Sequence, residues 1–319
     1  MTAAPIILFV YNRPDHTKKT LEALAKNTLA QESALFVFAD GPKPGASAEQ
    51  IEKINTTRSL VRSQKWCKTV TIFGSEENRG LSASIISGVT RIITEYGSAI
   101  VLEDDIVTGA HFLEFMNDAL ERYKDEKSVW HITAWRDPVR ARKDASFFYP
   151  NMDCWGWATW SNRWQHFEKN PAKLVQTFTP EMIKRFNMDG SEPGNWWQVQ
   201  ENVAGRMNTW AIFWLATIFL HDGLCLAPTK SLVKNIGMDN SGVHCGEKKL
   251  QTIKGSIDWR ITRFPKKNEI DEDEYEKTKE FKRRLNGCKL TPTRTKIKRR
   301  IKRLLKTVFP NRFSKLKVY

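Results

Sequence analysis

Three carboxylates, Glu103, Asp104 and Asp105, follow directly on the apolar run Ala99-Ile100-Val101-Leu102. Adjacent like charges at the end of a buried strand repel one another unless something offsets them. The strand can run out into water, or a helix starting near Thr108 can present its positive N-terminal dipole. A third possibility is a divalent metal, Mg²⁺ or Mn²⁺ by the hardness of the oxygen donors. Asp40 closes another apolar run just before Gly41-Pro42, as a turn former or as a ligand. Arg13 follows the first apolar run. It either pairs with a neighbouring acid or joins Asp40 in holding a nucleotide base, since a carboxylate accepts the N3–H of uracil. Asn78-Arg79-Gly80 opens a helix whose backbone N–H groups suit a diphosphate, unless the glycine only turns the chain. Trp155 and Trp157 flank Gly156. In an extended chain they face one way and can stack on a sugar ring; the alternative is packing in the core. His131, His221 and His244 stand singly, without metal spacing, and read as core or surface residues.

These residues need a frame that brings them to one place. "IILFVY" (6–11), "ALFVFAD" (34–40) and "TVTIFG" (69–74) are apolar runs of strand length, separated by helical patterns to about Asn27, over 47–63 and over 80–97. Asp15 is placed to cap the first helix. Strand alternating with helix implies a parallel sheet covered by helices, with ligands beyond the carboxyl ends of the strands. Arg13, Asp40 and Glu103–Asp105 all fall at such ends. A helix over 110–125, a strand over 128–135 and a buried helix over 209–220 follow. Residues 136–200 read as irregular and residues 228–256 as loop with short strands. Acidic "NEIDEDEYEK" (268–277) reads as a solvated boundary.

Charge divides the chain in two. Its 319 residues carry 51 Lys/Arg and 36 Asp/Glu, a net +15. The 15 basic residues of 281–319 face no acid there, so residues 1–280 hold 51 − 15 = 36 basic against 36 acidic residues and are formally neutral. The division expected is a catalytic domain over 1–275 and a basic tail over 276–319. In the tail, Ile297, Ile301, Leu304, Leu305, Val308 and Phe309 recur at steps of three and four among Lys and Arg, and Pro310 follows. That is the pattern of a basic amphipathic helix lying on an anionic membrane. Five cysteines without a disulfide or zinc pattern, and an N-terminus without signal-peptide character, suggest a reducing cytosol. No apolar run is long enough to span a bilayer.

The "YNRPDHTKKTLEAL" segment, Asp40, "NRGLSASI" and "VLEDD" together resemble glycosyltransferases of the GT-A type near family 2. With the Trp130–Trp135 strand and Gly156-Trp157, the chain further resembles the eukaryotic N-acetylglucosaminyltransferase I family. It is also similar to bacterial sugar transferases of polysaccharide and lipopolysaccharide synthesis. The resemblance spans roughly residues 5–245. It implies a Rossmann-like nucleotide-binding sheet and transfer of a sugar from a UDP-sugar, with Mn²⁺ or Mg²⁺ on Asp105. It also implies Asp104 at the ribose, Glu103 at the donor sugar, and Arg13 and Asp40 at the base. One departure stands out. Inverting members place a carboxylate base just before a later tryptophan, but the matching stretch here is Asn208-Thr209-Trp210. Asp153 and Glu201 are the nearest acids and become the candidate bases.

The expected activity is a metal-dependent, inverting hexosyltransferase building a bacterial surface glycan on a lipid-linked acceptor. It would be cytoplasmic and peripheral on the inner membrane face, with no nucleic-acid partner. Two other classes compete. A sugar-nucleotide pyrophosphorylase shares the sheet and metal logic, but "NRPDH" lacks the Gly-rich basic loop it needs. A nucleic-acid-binding protein would use the tail and leave the acidic triplet unexplained.

Overall fold

The computed structural model describes residues 3–140, 144–239, 253 and 255–288. In its first third strands and helices alternate as the sequence implies. β1 (Ile6–Val10), β2 (Ala34–Ala39), β3 (Thr69–Gly74) and β4 (Ser98–Glu103) are separated by α1 (Pro14–Ala25), α2 (Ala48–Arg62) and α3 (Leu81–Tyr96). The four strands pair in parallel in the order β3-β2-β1-β4. Each central strand is apolar on both faces because helices cover both. Ile6, Leu8 and Val10 of β1 join one core, and Ile7 and Phe9 join the other.

Beyond β4 come β5 (Ile106–Thr108), α4 (Phe112–Tyr123), β6 (Val129–Thr133), β7 (Ser146–Tyr149) and β8 (Trp157–Trp160). A helical layer follows, made of α5 (Ser161–Trp164), α6 (Pro171–Thr177), α7 (Pro180–Phe186), α8 (Gly194–Val203) and α9 (Ala211–Leu220). The described chain ends through β9 (Leu224–Pro228), β10 (Val233–Asn235) and α10 (Glu272–Leu285). The eight-stranded sheet runs β3-β2-β1-β4-β8-β6-β9-β7. β8 is antiparallel to both β4 and β6, β6 is parallel to β9, and β7 is antiparallel to β9. Two reversals restore direction, so β1, β2, β3, β4, β6 and β9 all end at one edge. A Rossmann-like parallel half is joined through one reversed strand to a mixed half, the helix-covered α/β sheet expected from the sequence. Among the described residues no helix is long and apolar enough to cross a membrane.

Three expectations are corrected. Residues 136–200 are not irregular. They hold β7, β8 and four short helices, with elements of four to seven residues giving way only at α8. Such lengths carry too few turns or pleats to show a period. Asp15 does not cap α1: Arg13 occupies the cap position and Asp15 lies in the first turn. The acidic stretch is not a solvated boundary but the start of α10, capped by Asp271, whose Oδ1 accepts from the N–H groups of Asp273 and Glu274. α10 crosses the expected 275/276 division and packs on the sheet, burying Tyr275, Thr278, Lys279 and Lys282. Arg136 donates to Glu274 at 2.7 Å, and Lys282 lies 3.6 Å from Asp137 and 3.7 Å from Glu192. The expected amphipathic helix over 297–309 lies outside the described residues.

His131 is a core residue, as expected, and it is fully buried. Its ring stacks on Trp157, its Nδ1 accepts from Trp214 Nε1 at 3.1 Å, and its Nε2–H donates to the Asp153 carbonyl at 3.1 Å. A proton on Nδ1 would abolish that acceptor, and burial already holds the imidazole down at about 3. The unfolded chain takes up a proton near 6.5 that the folded chain refuses, so stability falls as pH drops from about 6.5 toward 3. His131→Gln should flatten this acid limb in urea melts collected between pH 4 and 7, while an unchanged slope would assign the limb to other groups.

Candidate active site

The site is built at the edge where six strands end. β4 delivers Glu103 and runs straight into Asp104 and Asp105, both almost completely buried. β1 ends one strand away, and the short link to α1 places Arg13 across them. Arg13 Nε reaches Asp104 Oδ2 at 3.2 Å, and its Nη2 bonds both Asp104 Oδ1 and Asp105 Oδ2, the latter at 3.0 Å. Thr20 donates to the Asp104 carbonyl at 2.8 Å, tying α1 to the acids. The offset demanded by the adjacent carboxylates is therefore first of all a guanidinium.

One guanidinium does not neutralise three carboxyls. Burial works against the charge on Arg13, but Asp104 and Asp105 overcome it and hold its pKa above the usual value. Burial lifts Asp104 to about 6 despite Arg13. Glu103 is pushed to about 8, by burial first and then by Asp105 and Asp104. One guanidinium therefore stands against three carboxyls, two of them pushed up by burial, and the centre is short of positive charge.

The segment after β9 forms the opposite wall. β10 pairs antiparallel with β5, and Ile236 N–H donates to the Asp105 carbonyl at 2.9 Å. Gly237 follows against the acids; a Cβ there would collide with Asp105 Oδ2 and lie 3.0 Å from Arg13 Nη1. His16 Nε2 lies 3.1 Å from Asp239 Oδ2 and 3.3 Å from the Ile236 carbonyl, closing α1 onto this wall. His16, Gly237 and Asp239 were not singled out by the sequence. The "NRPDH" motif was the only trace of His16, and nothing local marked the other two.

The structure sorts the remaining candidates. Asp40, Asn78 and Arg79 do come together, but as a brace. Asp40 accepts from the N–H groups of Gly41, Arg79 and Gly80 at 2.9, 2.8 and 3.0 Å and from Asn78 Nδ2 at 3.1 Å. Four bonds fill the carboxylate's acceptor sites. In this arrangement Asp40 takes the N–H groups of Arg79 and Gly80, which lie just ahead of α3. The carboxylate itself has no site left for a uracil N–H. Trp155 and Trp157 do not face one way. Gly156 adopts φ 69°, which breaks the extended chain. Trp157 is fully buried in the core beneath α9, stacked on His131 and Trp210. Trp155 packs on the other face of the sheet, edge-on to Trp135 at 4.4 Å.

Asp153 precedes β8, whose Trp157 pairs with Val101 of β4, so residues 153–155 lie beside the end of β4. Tyr149 donates its hydroxyl to Asp153 Oδ2 at 2.6 Å, and burial, opposed by Lys282, raises the carboxyl's pKa. Glu201 is not brought to the acids by any contact among the described residues. Arg206 engages both its oxygens at 2.7 Å and lowers its pKa, which makes it a poor base. Asn208, where an acid was sought, accepts from Lys169, whose ammonium also donates to Ser82 in the first turn of α3 at 2.9 Å.

No family model matches the chain, and no curated protein matches it. Among solved structures, TarS of S. aureus overlaps 72% of this chain at 11% identity and a TM-score of 0.36. The chain spans only 36% of TarS. A UDP-glucose pyrophosphorylase complexed with UDP-glucose overlaps 73% of this chain and 93% of its own, at 11% identity and a TM-score of 0.38. The galactosyltransferase LgtC, with donor and acceptor sugar analogues, overlaps 67% of this chain and 70% of its own, at 9% identity and a TM-score of 0.34. At such low overlap the site rests on its own geometry.

A raised carboxyl opposes folding as it ionises. With Glu103 near 4.5 in the unfolded chain and about 8 when folded, its own contribution to ligand-free stability is fully present below pH 4.5 and is lost as pH rises through 8. A tenfold difference in acidity between the folded and unfolded chain corresponds to about 1.36 kcal/mol. Glu103→Gln should therefore exceed wild type by roughly a few kcal/mol at pH 8.5 and match it near pH 4, read as the difference between denaturant midpoints at the two pH values. Equal gains at both would show a packing effect instead.

Proposed function

We propose that the chain is a metal-dependent glycosyltransferase that moves a sugar from a UDP-sugar to a glycan acceptor. The observation that carries this reading is the buried pair Asp104–Asp105, with Glu103, at the carboxyl end of β4 and short of positive charge. Breaking the bond between a sugar and a nucleoside diphosphate develops negative charge on the leaving group, which a fixed cation stabilises.

The residues present fit Mg²⁺ or Mn²⁺ in one particular mode. Asp105, with Asp104 beside it, offers hard oxygen donors, and Gly237 leaves the facing wall bare of a side chain. Among the described residues no group of three His, Cys, Asp or Glu is placed to hold a metal. One or two carboxylates completed by substrate phosphates and water is the usual mode for Mg²⁺. When bound, the metal supplies electrostatic neutralisation of the diphosphate. Arg13 adds positive charge at the same wall and His16 an imidazole, Glu103 faces the donor sugar, and Asp104 takes the ribose. The Asp40–Asn78–Arg79 brace sets the shape of the nucleoside edge.

Asp153 is the base in this reading. A carboxyl with a raised pKa, held by Tyr149 and lying one strand from the acids, suits removal of a proton from an acceptor hydroxyl and hence inversion. The basic pattern of 281–319 supports docking at an anionic membrane face. A lipid-linked acceptor of a bacterial surface polysaccharide would be met there, as the resemblance to lipopolysaccharide sugar transferases suggests.

The experiment is UDP release from a panel of UDP-hexoses and UDP-N-acetylhexosamines with Mn²⁺, using wild type and Asp105→Ala. Wild type should turn over at least one donor, and the variant should lose several kcal/mol of stabilisation, about a hundredfold or more in rate. Wild-type turnover by Asp105→Ala would end the metal assignment. Synthesis of a UDP-sugar from UTP and a sugar phosphate would assign a pyrophosphorylase instead.

A further inference from the structure

The two outer strands of the sheet are finished differently. At one side β7 is covered by the chain itself. Ser146 N–H donates to the Arg263 carbonyl at 2.8 Å, Asp271 N–H donates to the Phe148 carbonyl at 2.8 Å, and Phe148 bridges to Ile270. At the other side β3 pairs with β2 alone. Ser75 N–H, just beyond β3, turns inward to the Ala39 carbonyl at 2.9 Å. Backbone direction alternates along a strand, so Thr71 and Phe73 turn inward with it. Val70, Ile72 and Gly74 then aim their N–H and C=O groups at the open side, where nothing among the described residues bonds them.

Edge strands are ordinarily blunted by a charge, a proline or a bulge, because a bare one templates pairing with another chain. β3 reads Thr-Val-Thr-Ile-Phe-Gly and has none of these; its register with β2 runs unbroken over all 6 residues. It is also accessible. Thr69, Thr71 and Gly74 are exposed, and Val70, Ile72 and Phe73 are half-buried. Charge appears only at its two ends, with opposite sign. Lys65 and Lys68 precede the strand, and Glu76 and Glu77 follow it. All four are exposed, and none forms an ion pair among the described residues.

These features select the same strand of a second copy as the partner, antiparallel about a two-fold axis. Antiparallel pairing sets the basic end of one strand against the acidic end of the other. Residues that face each other in such a pair both turn their backbone groups toward the partner or both turn them away, so the axis falls on a residue and not between two. Placing it at Ile72 uses every outward group. Ile72 exchanges hydrogen bonds with Ile72 of the second copy, and Val70 does so with Gly74. Thr71 then stands opposite Phe73, a β-branched residue against an aromatic one, and Lys68 stands opposite Glu76. The axis is perpendicular to the sheet, so the sheet continues through the dimer and the two acid centres lie at opposite edges of it, each complete within its own chain.

We propose that the chain forms a two-fold dimer through β3, with Ile72 on the axis and Lys68 of each copy facing Glu76 of the other. This does not depend on the glycosyl-transfer reading of the acid centre. The experiment is sedimentation velocity on the full chain in reducing buffer, over protein concentrations from about 1 to 100 µM, the range of a moderate interface. Wild type should pass from monomer to dimer within that range. Val70→Pro removes a donor that faces the open side and costs no bond to β2, so it should remain folded and sediment as a monomer. Lys68→Glu and Glu76→Lys each place like charges opposite one another at both symmetric positions, and each should weaken the dimer about tenfold. The double variant Lys68→Glu with Glu76→Lys restores unlike pairs and should return the dimer to nearly wild-type strength. If Val70→Pro does not fold, as judged by its thermal transition, the charge series decides. The proposal is overturned if wild type stays monomeric throughout. It is also overturned if a dimer survives folded Val70→Pro or both single charge reversals, which would place the contact on the basic tail or another surface, or if the double variant is as weak as the single ones.

Discussion

The guanidinium of Arg13 lying across Asp104 and Asp105 is the interaction on which the rest of this edge depends. A buried strand that ends in three carboxyls folds only if positive charge meets it there, because each unpaired buried charge costs several kcal/mol. Arg13 reaches the acids because β1 and β4 are parallel neighbours in register, Phe9 against Glu103, so their carboxyl ends coincide. The pairing leaves the third carboxyl without a partner of its own, and burial first, then Asp105 and Asp104, push Glu103 up to about 8. The incompleteness is what makes the centre receptive to a cation and a diphosphate; a fully neutralised cluster would have no further charge to recruit.

The same edge is organised twice more by charge, in each case with a different purpose. At Asp40 the carboxylate is saturated by the start of α3, which rigidifies the β2–β3 end. On the far side, α10 is drawn onto the sheet by Arg136–Glu274 and by Lys282 among Asp137, Asp153 and Glu192. Burial opposes the charge on Lys282, but the acids overcome it and raise its pKa. Asp153 therefore stands between two systems, the acid centre on β4 and the cation network of α10. That position explains why its carboxyl is raised by burial and yet still tempered by Lys282 and Arg136.

Within the fold, the parallel half was legible because its strands are buried on both faces and leave continuous apolar runs. The strand ends followed from the same runs, and with them Arg13, Asp40 and the acidic triplet. The mixed half was not legible. β8 is four residues long and finds its place only by pairing with both β4 and β6, and β9 was passed over between a helix and a loop. By composition alone the acidic stretch at 268–277 is indistinguishable from a solvated segment. Its Asp271 cap and buried Tyr275 belong to a helix whose partner Arg136 lies more than a hundred residues earlier.

What the sequence determined by itself was therefore the identity of the chemistry-bearing groups and the edge they share, since both depend on local apolar period and on what terminates it. Tertiary structure decided how those groups are spent. It set Arg13 on two acids at once, filled Asp40 with backbone donors, and put Trp155 and Trp157 on opposite faces through the positive φ of Gly156. It also brought Gly237 to within a methyl group's reach of Asp105. Each of these depends on contacts between segments distant in sequence or on a backbone angle, and neither leaves a periodic trace in the order of residues.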